Sequence, residues 1–121
     1  MKELLLVCIG SFFGGGIRYL FSKGIAIFMD TQLPWGTLTV NIVGSFLIGM
    51  FSAMALSNHI SPSTKLLLIT GFCGGFTTFS TFMNENLLLA RGGQLVLAIV
   101  YTFASIFLGI IALIAGYKVG S

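Results

Sequence analysis

The sequence predicts an all-α membrane protein with four transmembrane helices, the third of which is broken near its middle. Only 7% of its 121 residues are charged and 56% are hydrophobic, whereas soluble domains carry about 25% charged residues. Four long apolar runs occupy nearly the whole chain, and about 20 consecutive apolar residues are enough to cross a bilayer. We therefore expect one transmembrane domain over residues 1–121, embedded in lipid.

The composition also argues against several functions. The formal net charge of +3 is small and spread along the chain, which argues against a nucleic-acid partner. The carboxylates are Glu3, Asp30 and Glu85, and His59 is the single histidine. These residues form no carboxylate pair and no nucleophile–base set along the sequence. The chain is therefore not expected to be an enzyme, and Glu85 is expected to pair with a Lys or Arg of another segment.

Span 1 is predicted over about residues 4–28. Its apolar run continues past Arg18 with no small-residue cleavage site, which favours a span over a signal peptide. Gly10 and Gly14 are four residues apart, a spacing that lets two helix backbones approach closely. Arg18 lies roughly 20 Å along the helix. Its guanidinium either extends to the far interface or serves as a structural or anion-facing charge inside the membrane.

Span 2 is predicted over about residues 36–56, after a short loop that ends in Trp35, a residue typical of the membrane interface. Asn41, Ser45 and Ser52 share one stripe of this helix. Two interpretations of Asn41 remain open. It either hydrogen-bonds a neighbouring helix or offers the two donors of its amide group to an anion.

Span 3 is predicted over about residues 65–90, and residues 71–82 inside it read GFCGGFTTFSTF. Three glycines in five residues each cost about 1 kcal/mol of helix stability relative to alanine, and four hydroxyl residues follow them. A membrane helix tolerates such a breach only where its backbone is buried in protein or lines a wet cavity. Broken helices of this kind form ion sites in several transporters.

Phe79 and Phe82 are three residues apart and share one helix face. Such a pair ordinarily packs against other helices. Beside the glycines and hydroxyls of this segment, it favours a second interpretation, because the positive edge of an aromatic ring can solvate a small anion. Span 4, over about residues 94–117, carries Tyr101, Ser105 and Gly109 along one stripe.

The cationic residues are distributed almost evenly between the two ends of the predicted bundle. Lys2, Lys65 and Lys118 fall at one end, and Lys23 and Arg91 at the other. Under the positive-inside rule, three against two is a weak bias. The sequence therefore suggests that single chains can insert in both orientations.

Three segments together resemble the Fluc (CrcB-type) fluoride channel family: residues 16–19 (GIRY), 36–46 (GTLTVNIVGSF) and 71–82. The similarity extends over essentially the whole chain in length, span number and motif order. It implies a fluoride channel in the cell inner (plasma) membrane, formed by a dual-topology antiparallel homodimer with two pores that export fluoride passively.

The resemblance also implies roles for particular residues. The family's pore asparagine matches Asn41 and its pore phenylalanines match Phe79 and Phe82. Its hydroxyl track matches Ser80, Thr81, Tyr101 and Ser105, whereas Gly109 stands where some members carry another serine. The family's structural Na⁺ lies at the dimer centre, and the carbonyls that hold it match Gly74 and Thr77.

Two other functions fit the sequence less well than a fluoride channel. A small four-span proton-coupled multidrug exporter would need a carboxylate deep in span 1, but Glu3 stands at its very start. A non-conducting assembly subunit would use the glycine motifs for packing alone, and would leave the clustered hydroxyls of span 3 unexplained.

Overall fold

The computed structural model describes residues 1–29 and 33–121, and every regular element in that part of the chain is helical. Helix α1 forms the first span and α2 the second; α3, a π-helical segment, α4 and α5 form the third, and α6 the fourth. Their bounds are α1 Lys2–Phe28, α2 Trp35–Leu56, α3 Pro62–Lys65, π-helix Leu66–Cys73, α4 Gly74–Phe76, α5 Ser80–Arg91 and α6 Leu95–Gly120. Asp30 of the first loop lies outside the described residues.

Four stretches of helix within the described chain are long and apolar enough to cross a membrane. They run over Lys2–Phe28, Trp35–Leu56, Pro62–Arg91 and Leu95–Gly120, with mean hydropathies of 1.7, 1.7, 1.5 and 2.5. The predicted four-helix membrane fold is confirmed. Successive spans run in opposite directions, so that the first loop, the end of α5 and the start of α6 share one end of the bundle.

The third span is interrupted, as predicted, and the interruption lies at residues 77–79, inside the predicted segment 71–82 and after its glycines. Residues 71–75 remain helical, and the chain leaves the helix at Thr77, whose ψ of 159° is extended. Gly71 and Gly75 instead allow close packing on α1. A Cβ atom on Gly71 would lie 2.9 Å from the carbonyl oxygen of Val7, and one on Gly75 would lie 2.8 Å from that of Ser11.

The π-helical segment before the break packs along α1. In a π-helix the backbone bonds run from residue i to residue i+5, a geometry that is rare and concentrated at functional sites. The Ser11 hydroxyl of α1 donates a hydrogen bond of 3.3 Å to the carbonyl oxygen of Gly71 in this segment. The first helix therefore supports the third span where its backbone geometry is irregular.

Helices α2 and α6 make the most extensive contact between two helices in the described part of the chain. Glycines permit it, since a Cβ on Gly49 would contact the Leu113 carbonyl and a Cβ on Gly116 would contact the Phe46 carbonyl. Helix α5 packs mainly on α6, where Phe82 and Tyr101 form a small buried cluster with Leu38 of α2. The break is therefore held between α1 on one side and the α2–α6 pair on the other.

Candidate functional site

The side chain of Asn41 and the backbone of Thr78 exchange two hydrogen bonds at the break. Asn41 Nδ2 donates to the Thr78 carbonyl oxygen at 2.9 Å, and the Thr78 N–H donates to Asn41 Oδ1 at 2.9 Å. A buried backbone group without a partner is costly, and the amide of Asn41 supplies the partners that a continuous helix would have given Thr78. One of the two amide N–H groups is used in this way, which leaves the other available.

Two neighbouring carbonyl oxygens at the break lack their helical donors, one because of Asn41 and the other because of the Thr78 hydroxyl. In an α-helix the oxygen of residue i accepts from the N–H of residue i+4. The N–H of Thr78, which would serve Gly74, donates to Asn41 Oδ1 instead. The N–H of Thr81, which would serve Thr77, donates to the Thr78 hydroxyl at 3.2 Å. The backbone oxygens of Gly74 and Thr77 are therefore free to bind something else.

A cavity of about 290 Å³ lies directly beside the break. It is lined by Asn41, Thr77, Thr78, Phe79, Phe82, Ser105 and Ile106. The hydroxyl oxygen of Ser105 is buried and has no hydrogen-bond partner among the described residues. The cavity thus brings together four residues predicted for the pore and contains an unused hydroxyl donor.

The two phenylalanines of the predicted pore occupy different environments. Phe79 is 72% exposed on the surface of the chain, whereas Phe82 is 7% exposed. Their ring centroids are 6.2 Å apart with planes tilted by 49°, and the Phe82 ring lies 5.0 Å from that of Tyr101. Aromatic rings at such distances prefer arrangements in which an edge meets a face, so that Phe82 is fixed by Tyr101 while Phe79 projects outward.

Glu85 does not form the expected ion pair with a Lys or Arg among the described residues. Its carboxylate instead accepts a 3.0 Å hydrogen bond from the Thr37 hydroxyl and a 3.2 Å hydrogen bond from the Tyr101 hydroxyl. A carboxylate can be buried only where donors satisfy its oxygens, and two hydroxyls from α2 and α6 serve here. Tyr101, predicted from sequence for the polar track, therefore reaches the carboxylate rather than the Asn41 cavity.

Sequence reasoning gave Thr37 no role and expected for Glu85 a basic partner alone, with no part in the pore. The signal was their spacing: Thr37 lies four residues before Asn41, and Glu85 three residues after Phe82, so that each shares a helix face with a predicted pore residue. Both also line a cavity of about 490 Å³ at the first-loop end of the bundle, which includes Lys23 and Trp35 in its wall.

Three other predicted residues lie apart from the Asn41 cavity. Ser80 and Thr81 are exposed on the first turn of α5 and do not line it. Arg18 is half-buried on α1, and no hydrogen bond or ion pair joins it to another described residue. Ser80 and Thr81 therefore face the surroundings of the single chain, whereas Arg18 is partly covered by it.

Comparison with known proteins places this architecture in a family. A family model described as CrcB-like protein, Camphor Resistance (CrcB), matches residues 5–117. The chain belongs to the CrcB family. Together with the four membrane-crossing helices, this establishes a multi-pass membrane protein.

Several members of the CrcB family are similar to the chain over almost their full length. A protein of Chlorobium chlorochromatii named fluoride-specific ion channel FluC is 50% identical over 94% of this chain and 88% of its own. Proteins of the same name from Chlorobaculum tepidum and Phocaeicola vulgatus are 47% and 43% identical, over 96% of this chain and 92% and 96% of their own.

Proposed function

We propose that the chain is a fluoride-selective channel that lets fluoride leave the cell passively across the plasma membrane. The names of the relatives support the substrate. The observation that carries the proposal is the composition of the Asn41 cavity, whose polar groups are uncharged: an amide N–H of Asn41, the unpartnered hydroxyl of Ser105 and the rings of Phe79 and Phe82.

These groups suit a small and strongly hydrated anion. A selective pore must replace the water around the ion with donors, yet bind it weakly enough to release it. An amide, a hydroxyl and two ring edges meet both requirements, because each interacts favourably with an anion and none carries a full positive charge. A lysine in the same position would hold the anion too firmly for rapid passage.

The pore is proposed to be completed by a second copy of the chain, antiparallel to the first. The free carbonyl oxygens of Gly74 and Thr77 support this arrangement, because an unsatisfied backbone group exposed to lipid costs several kcal/mol. Gly74 is exposed on the surface of the single chain. A partner docked over this surface would cover the break and enclose the outward ring of Phe79, giving two pores per dimer.

The same oxygens are proposed to hold a structural Na⁺ between the two copies. Residues 1–29 and 33–121 contain no group of three or more His, Cys, Asp or Glu placed to hold a metal, so a cation at the break would depend on backbone oxygens. Hard cations prefer oxygen ligands. The carbonyls of Gly74 and Thr77 from both copies would provide four such ligands, which suits an ion without strict geometric requirements.

The alternative of a proton-coupled multidrug exporter is not supported by the relatives. Nor does α1 supply a carboxylate deep in the membrane, since its only acidic residue is Glu3 in the first turn. Transport through a pore, rather than chemistry on a substrate, is the activity to be tested.

The decisive experiment is fluoride release from liposomes. Purified protein is reconstituted into vesicles loaded with potassium fluoride, a potassium ionophore starts the efflux, and a fluoride electrode records it. We expect rapid release of fluoride and no release of chloride from matched vesicles loaded with potassium chloride. Vesicles that retain fluoride as well as protein-free controls do, or that release chloride equally fast, would refute the proposal.

A further inference from the structure

Two consecutive residues of α5 are hydrogen-bonded to two consecutive residues of α6. Glu85 accepts from the Tyr101 hydroxyl at 3.2 Å, and Asn86 Oδ1 accepts from the Thr102 hydroxyl at 3.0 Å. The two bonds face different surroundings. Glu85 lines the cavities at the first-loop end of the bundle, whereas Asn86 and Thr102 line a separate apolar groove of about 340 Å³ on the outer side of α5 and α6.

The orientation of the Asn86 amide is fixed by its second contact. Nδ2 donates to the carbonyl oxygen of Phe82 at 3.1 Å, and since that oxygen can only accept, the amide oxygen must turn toward Thr102. The Thr102 hydroxyl has a single hydrogen and two acceptors within reach, Asn86 Oδ1 at 3.0 Å and the carbonyl oxygen of Ala98 at 2.9 Å, so that the two acceptors share it. Asn86 is therefore tied both to α6 and to the backbone of the residue whose ring lines the Asn41 cavity.

The hydrogen bonds to Glu85 use hydroxyl donors that a passing anion would also attract. The hydroxyls of Thr37 and Tyr101 each have one hydrogen, and both hydrogens point at the carboxylate of Glu85. If an anion passes this point, a hydroxyl that turns to the anion must leave Glu85. During that step α5 loses a hydrogen bond to α2 or to α6. The Asn86–Thr102 hydrogen bond also joins α5 to α6. A passing anion does not reach it, because neither residue lines the cavities at Asn41 or Glu85.

We infer that Asn86 and Thr102 are positioning residues, which hold α5 in register on α6 so that Phe82 and Glu85 keep their places while fluoride passes. The inference rests on the proposed function, but adds residues that do not touch the ion. Their distance from the Asn41 cavity follows from its lining, which includes neither. The short helix they hold is not continued by helix at its N-terminal end because of the break at residues 77–79.

The test compares Thr102→Val, which removes the hydroxyl at nearly constant volume, with Thr102→Ser, which retains it. Thr70→Val is the matched control, because Thr70 is an exposed threonine of the third span whose side-chain hydroxyl makes no hydrogen bond to the described residues. Fluoride efflux is measured per folded protein over a range of fluoride concentrations. Hydrogen–deuterium exchange of α5 is measured on the same samples, so that register is followed independently of transport.

We expect Thr102→Val to lower maximal flux about threefold to tenfold, the range of one hydrogen bond between membrane helices. The fluoride concentration at half-maximal flux should also shift, and α5 should exchange faster while α1 does not. Thr102→Ser should restore all three measurements, and Asn86→Leu should reproduce the loss if Thr102→Val folds poorly. A merely structural role would reduce the yield of folded protein without shifting the half-saturating concentration.

Two results would overturn the inference. One is a Thr102→Val protein that matches Thr70→Val in flux, half-saturation and exchange while the wild type conducts fluoride. The other is a loss that Thr102→Ser fails to restore. A wild type that does not conduct fluoride would refute the proposed function instead, and the exchange of α5 would still decide whether the bond holds the helix.

Discussion

Asn41 on α2 and Thr78 in the break of the third span form a reciprocal pair of hydrogen bonds, each 2.9 Å long, between residues 37 positions apart. The pair satisfies the backbone of Thr78 and turns its N–H away from the carbonyl of Gly74. One side chain thus stabilises the break, frees the Gly74 oxygen proposed for Na⁺, and keeps a second amide N–H for the cavity that it lines. The two sequence-based interpretations of Asn41 are therefore compatible.

The substitution Asn41→Asp should slow fluoride flux about 10-fold to 100-fold, since a buried donor contributes on the order of 1–3 kcal/mol. The carboxylate can still accept from the Thr78 N–H, but it has no hydrogen to donate to the Thr78 carbonyl or to an anion, and its charge repels both. Flux per folded protein is the measurement. Asn84→Asp is the control, because it places the same charge on an exposed position of α5. Equal flux in both variants would place the pathway away from Asn41.

The two phenylalanines should respond differently to replacement by isoleucine. Phe82 is 7% exposed and packs on Tyr101, so Phe82→Ile should lower both flux and thermal stability, the latter by the roughly 0.5–1.5 kcal/mol of an aromatic pair together with the cost of repacking. Phe79 is 72% exposed, so Phe79→Ile should slow flux severely with little effect on the fold of the single chain. Phe103→Ile, at a 67% exposed site on α6, is the control and should do neither. Wild-type flux in Phe79→Ile would show that the Phe79 ring does not line the pore.

The sequence predicted the number of spans and the interruption of the third, because length and hydropathy are local properties. It placed the interruption within residues 71–82, because glycine weakens a helix in isolation and three glycines stand at the start of that segment. The position actually taken depends on α1 and α2. The backbone of α1 lies so close that Gly71 and Gly75 are required as helical packing residues, and Asn41 captures the chain at Thr78.

Part of the candidate site likewise could not be predicted from the sequence of any single segment. Phe79 and Phe82 lie close together, as their spacing predicts, but the helical period does not reveal that Phe79 lies in the break and is exposed while Phe82 is buried. The partners of Glu85 come from two other helices, and no pattern within one segment identifies them. The sequence offered a carboxylate and suggested a basic partner by charge, whereas the folded chain satisfies that carboxylate with hydroxyls.

A rescue experiment can test the position of Thr77. A Cβ on Gly44 of α2 would strike the Cγ2 methyl of Thr77, and would lie 3.3 Å from the ring of Phe76. Gly44→Ala should therefore displace Thr77 and reduce both dimer yield and flux. Thr77→Ser alone should be mild, because the hydroxyl that donates to the Cys73 carbonyl at 2.9 Å is kept.

The double variant Gly44→Ala/Thr77→Ser should recover most of the lost flux, since serine lacks the methyl group that clashes. Size-exclusion chromatography and fluoride efflux on the three proteins provide the measurement. A double variant as impaired as Gly44→Ala alone would show that the damage arises elsewhere on α2.

Removal of Na⁺ should destabilise the assembled protein if the oxygens of Gly74 and Thr77 bind it. A ligand that binds only the folded dimer raises its stability with the logarithm of ligand concentration, so the melting temperature should rise with added Na⁺ and fall when a bulky organic cation replaces it. Equal concentrations of K⁺ are the control for ionic strength. A melting temperature indifferent to Na⁺ would contradict the cation site without disproving the pore.

The variant Gly74→Val tests the same proposed site while leaving the fold of the single chain intact. Within the chain, a Cβ on Gly74 would meet only the carbonyl oxygen of Ile69, at 3.8 Å, so the variant should fold and insert. Branched methyl groups beside the free oxygens should nevertheless keep a second copy away. We expect helical protein that runs as a monomer in detergent. A stable, conducting dimer of this variant would show that the break does not lie at the interface.

Orientation in the membrane provides the last test. Lys2, Lys65 and Lys118 lie at one end of the bundle, and Lys23 and Arg91 at the other, so that two added lysines at one end should decide the topology. His59→Lys with Ser63→Lys, both at exposed positions, should hold the second loop in the cytoplasm, and uniformly oriented chains should lose fluoride flux because no antiparallel partner is present.

Coexpression with an oppositely biased chain, carrying Lys65→Gln and Lys118→Gln together with Gln94→Lys at an exposed position, should restore that flux. Accessibility of single cysteines to an impermeant thiol reagent reports the orientation of each chain, in a background where Cys8 and Cys73 are replaced by alanine. Normal flux from a population shown to be uniformly oriented would exclude the antiparallel dimer. Because the fold and the break are the same in every one of these chains, recovery on coexpression would have to arise from pairing between opposite orientations.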